Sequence, residues 1–212
     1  ETGNNKLSIL PAFCNDMKSE SKAHPMRYLK DVHPKNKLTV LFIGKGYTAS
    51  EIKTMCEDAV IAANVIGEDS QYGYFADKYE PYFSNAGLSS DMYWDKQGEI
   101  IGELQQVRYA TKADIVIIFA KDNKIYSPGS VAGEYAGNGK VNGFSLNTVM
   151  GVDAIPDIWT IRPTSSDDYK ITLRHELGHF FGFGHVDALV YNSSMWSSIK
   201  ASIEKMVSGQ LG

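Results

Sequence analysis

Ile171-Thr-Leu-Arg-His-Glu-Leu-Gly-His-Phe-Phe-Gly-Phe-Gly-His-Val-Asp-Ala-Leu-Val-Tyr-Asn-Ser-Ser-Met-Trp196 holds three of the five histidines in a chain of 212 residues. His175-Glu-Leu-Gly-His179 is H-E-x-x-H, and the run continues to Gly182 and His185 as H-E-x-x-H-x-x-G-x-x-H. On a helix, positions four apart share a face, so His175 and His179 can direct imidazole nitrogens to one point. Zinc accepts such nitrogens at about 2.0–2.1 Å in tetrahedral geometry. Glu176 is turned by about 100° from His175, which keeps its carboxylate off the metal yet close enough to reach a water there. A glycine at 182 suits a left-handed helix stop, and the reversal it permits returns His185 to the same point. All five positions match by accident in on the order of one unrelated chain in a hundred thousand. The bland alternative is a set of helix histidines paired with carboxylates or solvent. A second alternative is a purely structural zinc, whose shell Asp187 would close.

Working outward, Ser165 or Ser166 caps the histidine helix, and Asp167 and Asp168 suit its first turn through the helix dipole. A final helix, about Trp196 to Val207, carries Ile199, Ile203, Met206 and Val207 on one stripe. Towards the N-terminus, Leu38 to Ile43 and Asp114 to Ala120 are near-continuous apolar runs, the pattern of strands buried on both faces. Tyr82 to Leu88 reads as a further strand. Thr48-Ala-Ser-Glu51 fits a capping box, and Ile52, Met55, Cys56, Ala59, Ala63 and Ile66 follow at helical spacing. This alternation of strand and helix predicts an α/β (α+β) fold with strands at least partly parallel. Between Asp122 and Val149 five glycines and two Asn-Gly pairs predict antiparallel strands or long loops.

Gly44-Lys-Gly-Tyr-Thr-Ala49 matches the dinucleotide fingerprint G-x-G-x-x-A after a strand and before a helix. The fingerprint also requires a second strand ending in an acid about 20 positions on. Val60 to Ile66 continues the helical stripe and leaves no room for that strand before Glu68 and Asp69. A plain strand–turn–helix is the better reading.

With 43% hydrophobic and 22% charged residues the chain has the composition of an ordinary globular protein. A net charge of −4 gives no reason to expect a nucleic-acid partner, and no apolar run approaches the roughly 18 residues needed to span a bilayer. The chain is expected to be a monomer. Residues 1–36 read as a polar arm or linker end, with Glu1-Thr2-Gly3 a vector remnant, and residues 37–212 as the main domain. Of the two cysteines, Cys56 lies on the apolar stripe of its helix, where a buried thiol is the simplest reading. A disulfide to Cys14 requires export. His24 and His33 read as exposed bystanders, Asn192-Ser-Ser194 as an unused glycosylation sequon, and Asp91 with Asp95 as solvated loop.

The run from His175 to His185 resembles the long zinc motif of the metzincin metalloproteases. Met195 and its neighbours Asn192-Ser-Ser-Met-Trp196 resemble the methionine turn that passes beneath the metal in those enzymes, with a gap most like that of the matrixins. Leu41-Phe-Ile-Gly-Lys-Gly-Tyr-Thr-Ala-Ser-Glu51 resembles the opening strand and helix of the IgA-peptidase-like metzincins. The resemblance implies a zincin fold: a twisted mixed sheet with two long helices over residues 37–182, and a small C-terminal subdomain over 183–212. It implies a Zn2+-dependent endopeptidase, secreted or on the cell surface, acting on protein or peptide substrates. His175, His179 and His185 would hold zinc, Glu176 would act as general base, and residues after Met195 would line a specificity pocket. Some relatives use an aspartate as the third ligand, so by the resemblance Asp187 competes with His185, and some carry a tyrosine two residues after the turn methionine. Ser197 stands there, which leaves Tyr191 as the nearest substitute. A substrate strand is expected to add to an exposed edge between Gly129 and Val149. The rival readings are a zinc-containing binding or adhesion module without turnover, and hydrolysis of a non-peptide amide.

Overall fold

In the computed structural model the described residues are 11–17, 38–68, 79–91, 115–125, 133–135, 147–149, 152–154 and 157–180, with 197, 200, 201 and 204. The elements in order are β1 (Leu38–Lys45), α1 (Ile52–Glu68), β2 (Tyr79–Phe83), β3 (Ile115–Ala120), β4 (Gly133–Tyr135), β5 (Asn147–Val149), β6 (Val152–Ala154), β7 (Asp157–Ile161) and α2 (Asp167–Phe180). Short 3-10 turns occupy Pro11–Cys14 and Ala49–Glu51. Residues 197, 200, 201 and 204 are helical, within the span expected for the last helix.

The fold is mixed α/β. A five-stranded sheet runs β2-β1-β3-β7-β4, and β5 pairs with β6 in a separate two-stranded ribbon. The β2–β1, β1–β3 and β3–β7 pairs are parallel, whereas β4 lies antiparallel to β7 at one edge. The apolar runs sit where their pattern requires. Val40 to Ile43 and all six residues of β3 are buried, one set of side chains against α1 and α2 and the alternate set on the opposite face. On that second face Leu41, Ile43, Val116, Ile118 and Trp159 are also buried.

Two expectations shift. The strand placed at Tyr82 to Leu88 is Tyr79–Phe83, and Leu88 contributes only an isolated bridge to Lys45. Pro81 falls inside β2, and proline is tolerated there because β2 is an edge strand of the sheet. Strand β7 has no counterpart in the sequence reading. The region from Asp122 to Val149 does contain short antiparallel strands, β4 and β5.

Helix α1 starts as its sequence predicts. The Glu51 carboxylate accepts hydrogen bonds from the Thr48 amide and hydroxyl, both at 2.9 Å. Its apolar band includes Met55, Cys56, Ala59 and Ala63 and is wider than a single stripe, because the sheet, α2 and the Pro11–Cys14 turn all press on it. Cys56 is not a free thiol: it forms a disulfide with Cys14, which is also buried. The segment Pro11–Cys14, inside the stretch read as a polar arm, is thereby fastened to α1. Residues 1–10 and 18–36 of that arm, the boundary at 36/37, His24, His33 and Asp95 lie outside the described residues. Asp91 is exposed and accepts a hydrogen bond from the Ser89 hydroxyl.

Gly44-Lys-Gly46 is a strand–turn–helix. Met55 packs so closely over Gly44 that a Cβ there would meet its Cγ and Sδ at 2.6 Å. Gly46 takes φ of +82°, which favours glycine. Helix α1 runs unbroken to Glu68, so the second strand of a dinucleotide fold has no place before that residue. Among the described residues no helix is long and apolar enough to cross a membrane.

Candidate metal centre on α2

Strand β7 delivers the chain to α2 through a short connection. Ser166 supplies the cap: its hydroxyl accepts from the Tyr169 amide at 3.3 Å, and its carbonyl accepts from the Lys170 amide at 3.2 Å. Asp167 and Asp168 occupy the first turn, where the helix dipole favours negative charge. Tyr169, Leu173 and Leu177, four residues apart, form the buried stripe that joins the core cluster. The Tyr169 hydroxyl lies 3.3 Å from that of Thr160 on β7, and burial pushes its pKa up.

At about 100° per residue, position 175 falls about 160° from Leu173, on the side of the helix away from the core. Position 179 is about 40° from 175, so the two histidine positions share that side one turn apart. Glu176 falls between the histidine side and the buried stripe. Its carboxylate-bearing residue is 5% exposed, whereas His175 is half-buried. Both make interactions with neighbours, so neither is an orphaned polar group. The side chain of His179 and residues Gly182, His185, Asp187, Tyr191 and Met195 lie outside the described residues. Among the described residues no three histidine, cysteine, aspartate or glutamate side chains gather around a common point.

The donor set fits a borderline cation such as zinc as far as it is described: an unbroken helix from Asp167 to Phe180 carries both histidine positions on one side, with a carboxylate beside them. The edge strand β4 contacts α2 and pairs antiparallel with β7, in register Gly133 to Thr160, Glu134 to Trp159 and Tyr135 to Ile158. Among the described residues β4 pairs only with β7.

A polar network that sequence reasoning missed anchors the start of this helix. Arg162, just after β7, donates through Nε to Asp58 Oδ2 at 2.7 Å and through Nη2 to Oδ1 at 3.4 Å. Tyr47 Oη donates to the same Oδ2 at 2.6 Å, and the Arg162 amide donates to Asn123 Oδ1 at 2.9 Å. Desolvation first, then the hydrogen bond to Asp58, pushes the Tyr47 hydroxyl pKa well up, while Asp58 also raises that of the Arg162 guanidinium. The available signal was Asp58 itself, an acid within the apolar band of α1. Lys45 is another buried charge. Its Nζ donates to the Lys124 carbonyl at 2.8 Å and faces Asp122 at 3.6 Å, and burial lowers its pKa.

Comparison with known proteins finds no family whose pattern the chain matches and no curated protein that it significantly resembles.

Proposed function

We propose that this chain is a zinc-dependent endopeptidase of the metzincin type, secreted or held at the cell surface, that hydrolyses peptide bonds of extracellular proteins. The observation that carries the reading is the placement of positions 175 and 179 on the side of α2 away from its buried stripe, with Glu176 between that side and the core. The outer side of an amphipathic helix suits any polar residue, so it is the four-residue spacing together with the buried Glu176 beside it that supports a shared cation. In this reading β1, α1, the mixed sheet and α2 are the N-terminal subdomain to residue 182, and residues 183–212 supply the third ligand and the methionine turn at Met195.

His175 and His179 would hold zinc through neutral imidazole nitrogens, with His185 as the third ligand. Zinc held there would supply Lewis acidity towards the scissile carbonyl and lower the pKa of a water towards neutrality. Glu176 takes the proton from the attacking water and passes it to the departing amine nitrogen. The position of Glu176 at the margin of the core supports this role, because a carboxylate fixed by packing holds its oxygen at one place. Substrate backbone adds to the outer side of β4, antiparallel pairing giving affinity without strong demands on sequence. The two sheet edges differ in a way that favours β4: β2 carries Pro81, which lacks an amide hydrogen, whereas β4 contains no proline. The Cys14–Cys56 disulfide fits an oxidising compartment.

Metal analysis paired with digestion of casein or a peptide library tests the reading. Activity abolished by a chelator and restored by zinc is expected, and Glu176→Ala should retain zinc while activity falls by about 10²–10⁴-fold. Full activity in a zinc-loaded Glu176→Ala protein would refute the assignment of the base. Zinc retention with no turnover of any peptide or amide would favour a binding module instead.

A further inference from the structure

We propose that Arg162 and Asp58 are positioning residues that set the direction of α2 and thereby the coordination geometry at its histidines; this rests on the metzincin-type reading above. The ion pair joins α1 to the connection between β7 and α2, across 104 residues of sequence. Only residues 163–166 separate Arg162 from the first residue of the helix. Asp58 is 7% exposed at its side chain and is gripped by the guanidinium fork and by Tyr47, so its carboxylate has one orientation. The Arg162 backbone is held in turn by Asn123.

The argument is one of leverage. Positions 175 and 179 lie about 12 Å and about 18 Å beyond Asp167 along a stiff helix. A change of about 5° in its direction would carry position 179 by about 1.6 Å, against a tolerance of about 0.2 Å in metal–ligand distances. Leu173 and Leu177 hold the body of α2 against the core, but the hydrophobic driving force behind that contact is non-directional. A two-bond fork between a guanidinium and a buried carboxylate is directional. It ties the chain just before α2 to α1 in one relative orientation.

The test loads the full chain with cobalt(II) and records the visible ligand-field spectrum, together with kcat and KM on a peptide and the thermal midpoint of the metal-free protein. Wild type is compared with Arg162→Lys, Arg162→Gln and Asp58→Asn. Lys121→Gln serves as control, because it removes the ion pair to Glu51 at the entrance of α1 without touching the α2 connection. Arg162→Lys keeps the charge and loses the planar fork, so it decides the matter if the other variants fail to fold. The expected result is an altered spectrum with kcat down about tenfold or more and KM within about threefold, since a displacement of about 1 Å is felt mainly in the reacting geometry. The control should lower the midpoint and leave spectrum and kcat unchanged. Variants that lose thermal stability but keep the wild-type spectrum and kcat would overturn the proposal, the pair then being a brace. A wild-type protein that takes up no cobalt would instead overturn the metal reading, and this inference with it.

Discussion

The Cα atoms of Cys14 and Cys56 stand 5.6 Å apart, and their sulfurs are bonded across 42 residues of chain. These are the only two cysteines, so the oxidised protein has no thiol left over. Closing a loop of that length removes denatured-state entropy worth up to about 4 kcal/mol. Replacing both cysteines by alanine should therefore lower unfolding free energy by about 2–4 kcal/mol, read from denaturant midpoints at constant slope. Thiol titration in denaturant without reductant should give no free thiol. Two titratable thiols in protein purified from an oxidising compartment would show that the bond is not made.

Gly44 and Gly46 are required for different reasons, and substitutions should separate them. At Gly44 the obstacle is space: a Cβ would lie 2.6 Å from Met55 and 2.7 Å from the Tyr47 ring. At Gly46 there is room, with the nearest atom at 3.7 Å, but φ is +82°. Gly44→Ala should cost about 1–3 kcal/mol by overpacking, and Gly44→Asn more, because it is larger. The order reverses at Gly46, where Asn should be milder than Ala because it tolerates left-handed backbone. Asn123, at φ of 58°, already shows that tolerance in this chain. Equal ordering at both positions in denaturant titrations would contradict the packing described for Met55.

What the sequence revealed and what it hid follow the range of the interactions. β1 and β3 are legible because burial on both faces writes an unbroken apolar run. The start of α1 and the cap at Ser166 are legible because capping is settled within four residues. The same locality exposes His175, Glu176 and His179, whose spacing needs nothing but a helix. Strand β7 is harder: Asp157-Ile-Trp-Thr-Ile161 has neither alternation nor a full apolar run, since Thr160 is buried through its contact with Tyr169. The start of β2 is hidden because Pro81 sits inside it, and only the sheet order reveals that β2 is an edge where proline is tolerated. Arg162 and Asp58 meet across 104 residues, and no local pattern announces such a pair.

Glu51 should mark the acid limb of stability. Its carboxyl is held down to about 2, from an ordinary 4.5, by the Lys121 ammonium first and then by the Thr48 amide and hydroxyl. A carboxyl depressed in the folded state stabilises above its unfolded value and loses that contribution as pH falls through the folded one. The advantage of wild type over Glu51→Gln should therefore be constant above about pH 5 and shrink between about pH 4.5 and 2. Urea midpoints of the two proteins across that range provide the measurement. A difference that stays flat down to pH 2 would mean that the Lys121–Glu51 contact does not form in solution.

The third ligand decides which side chains share the proposed cation with His175 and His179. Helix α2 ends at Phe180, and five residues of chain reach from there to His185, a span of up to about 17 Å when extended. Either His185 or Asp187 can therefore return to the helix face, and distance does not separate them. Chemistry favours the imidazole, since a third neutral nitrogen leaves the cation its full charge for polarising a carbonyl, whereas a carboxylate neutralises part of it. His185→Ala should then weaken zinc binding by more than about 100-fold, beyond the about 10–100-fold typical of losing an outer hydrogen-bond partner. Asp187→Ala should change it by less than that range. Competition against a chelator of known affinity at fixed pH measures both. Loss of zinc in Asp187→Ala with retention in His185→Ala would assign a histidine–histidine–aspartate set, and retention in both would remove the third ligand from this stretch altogether.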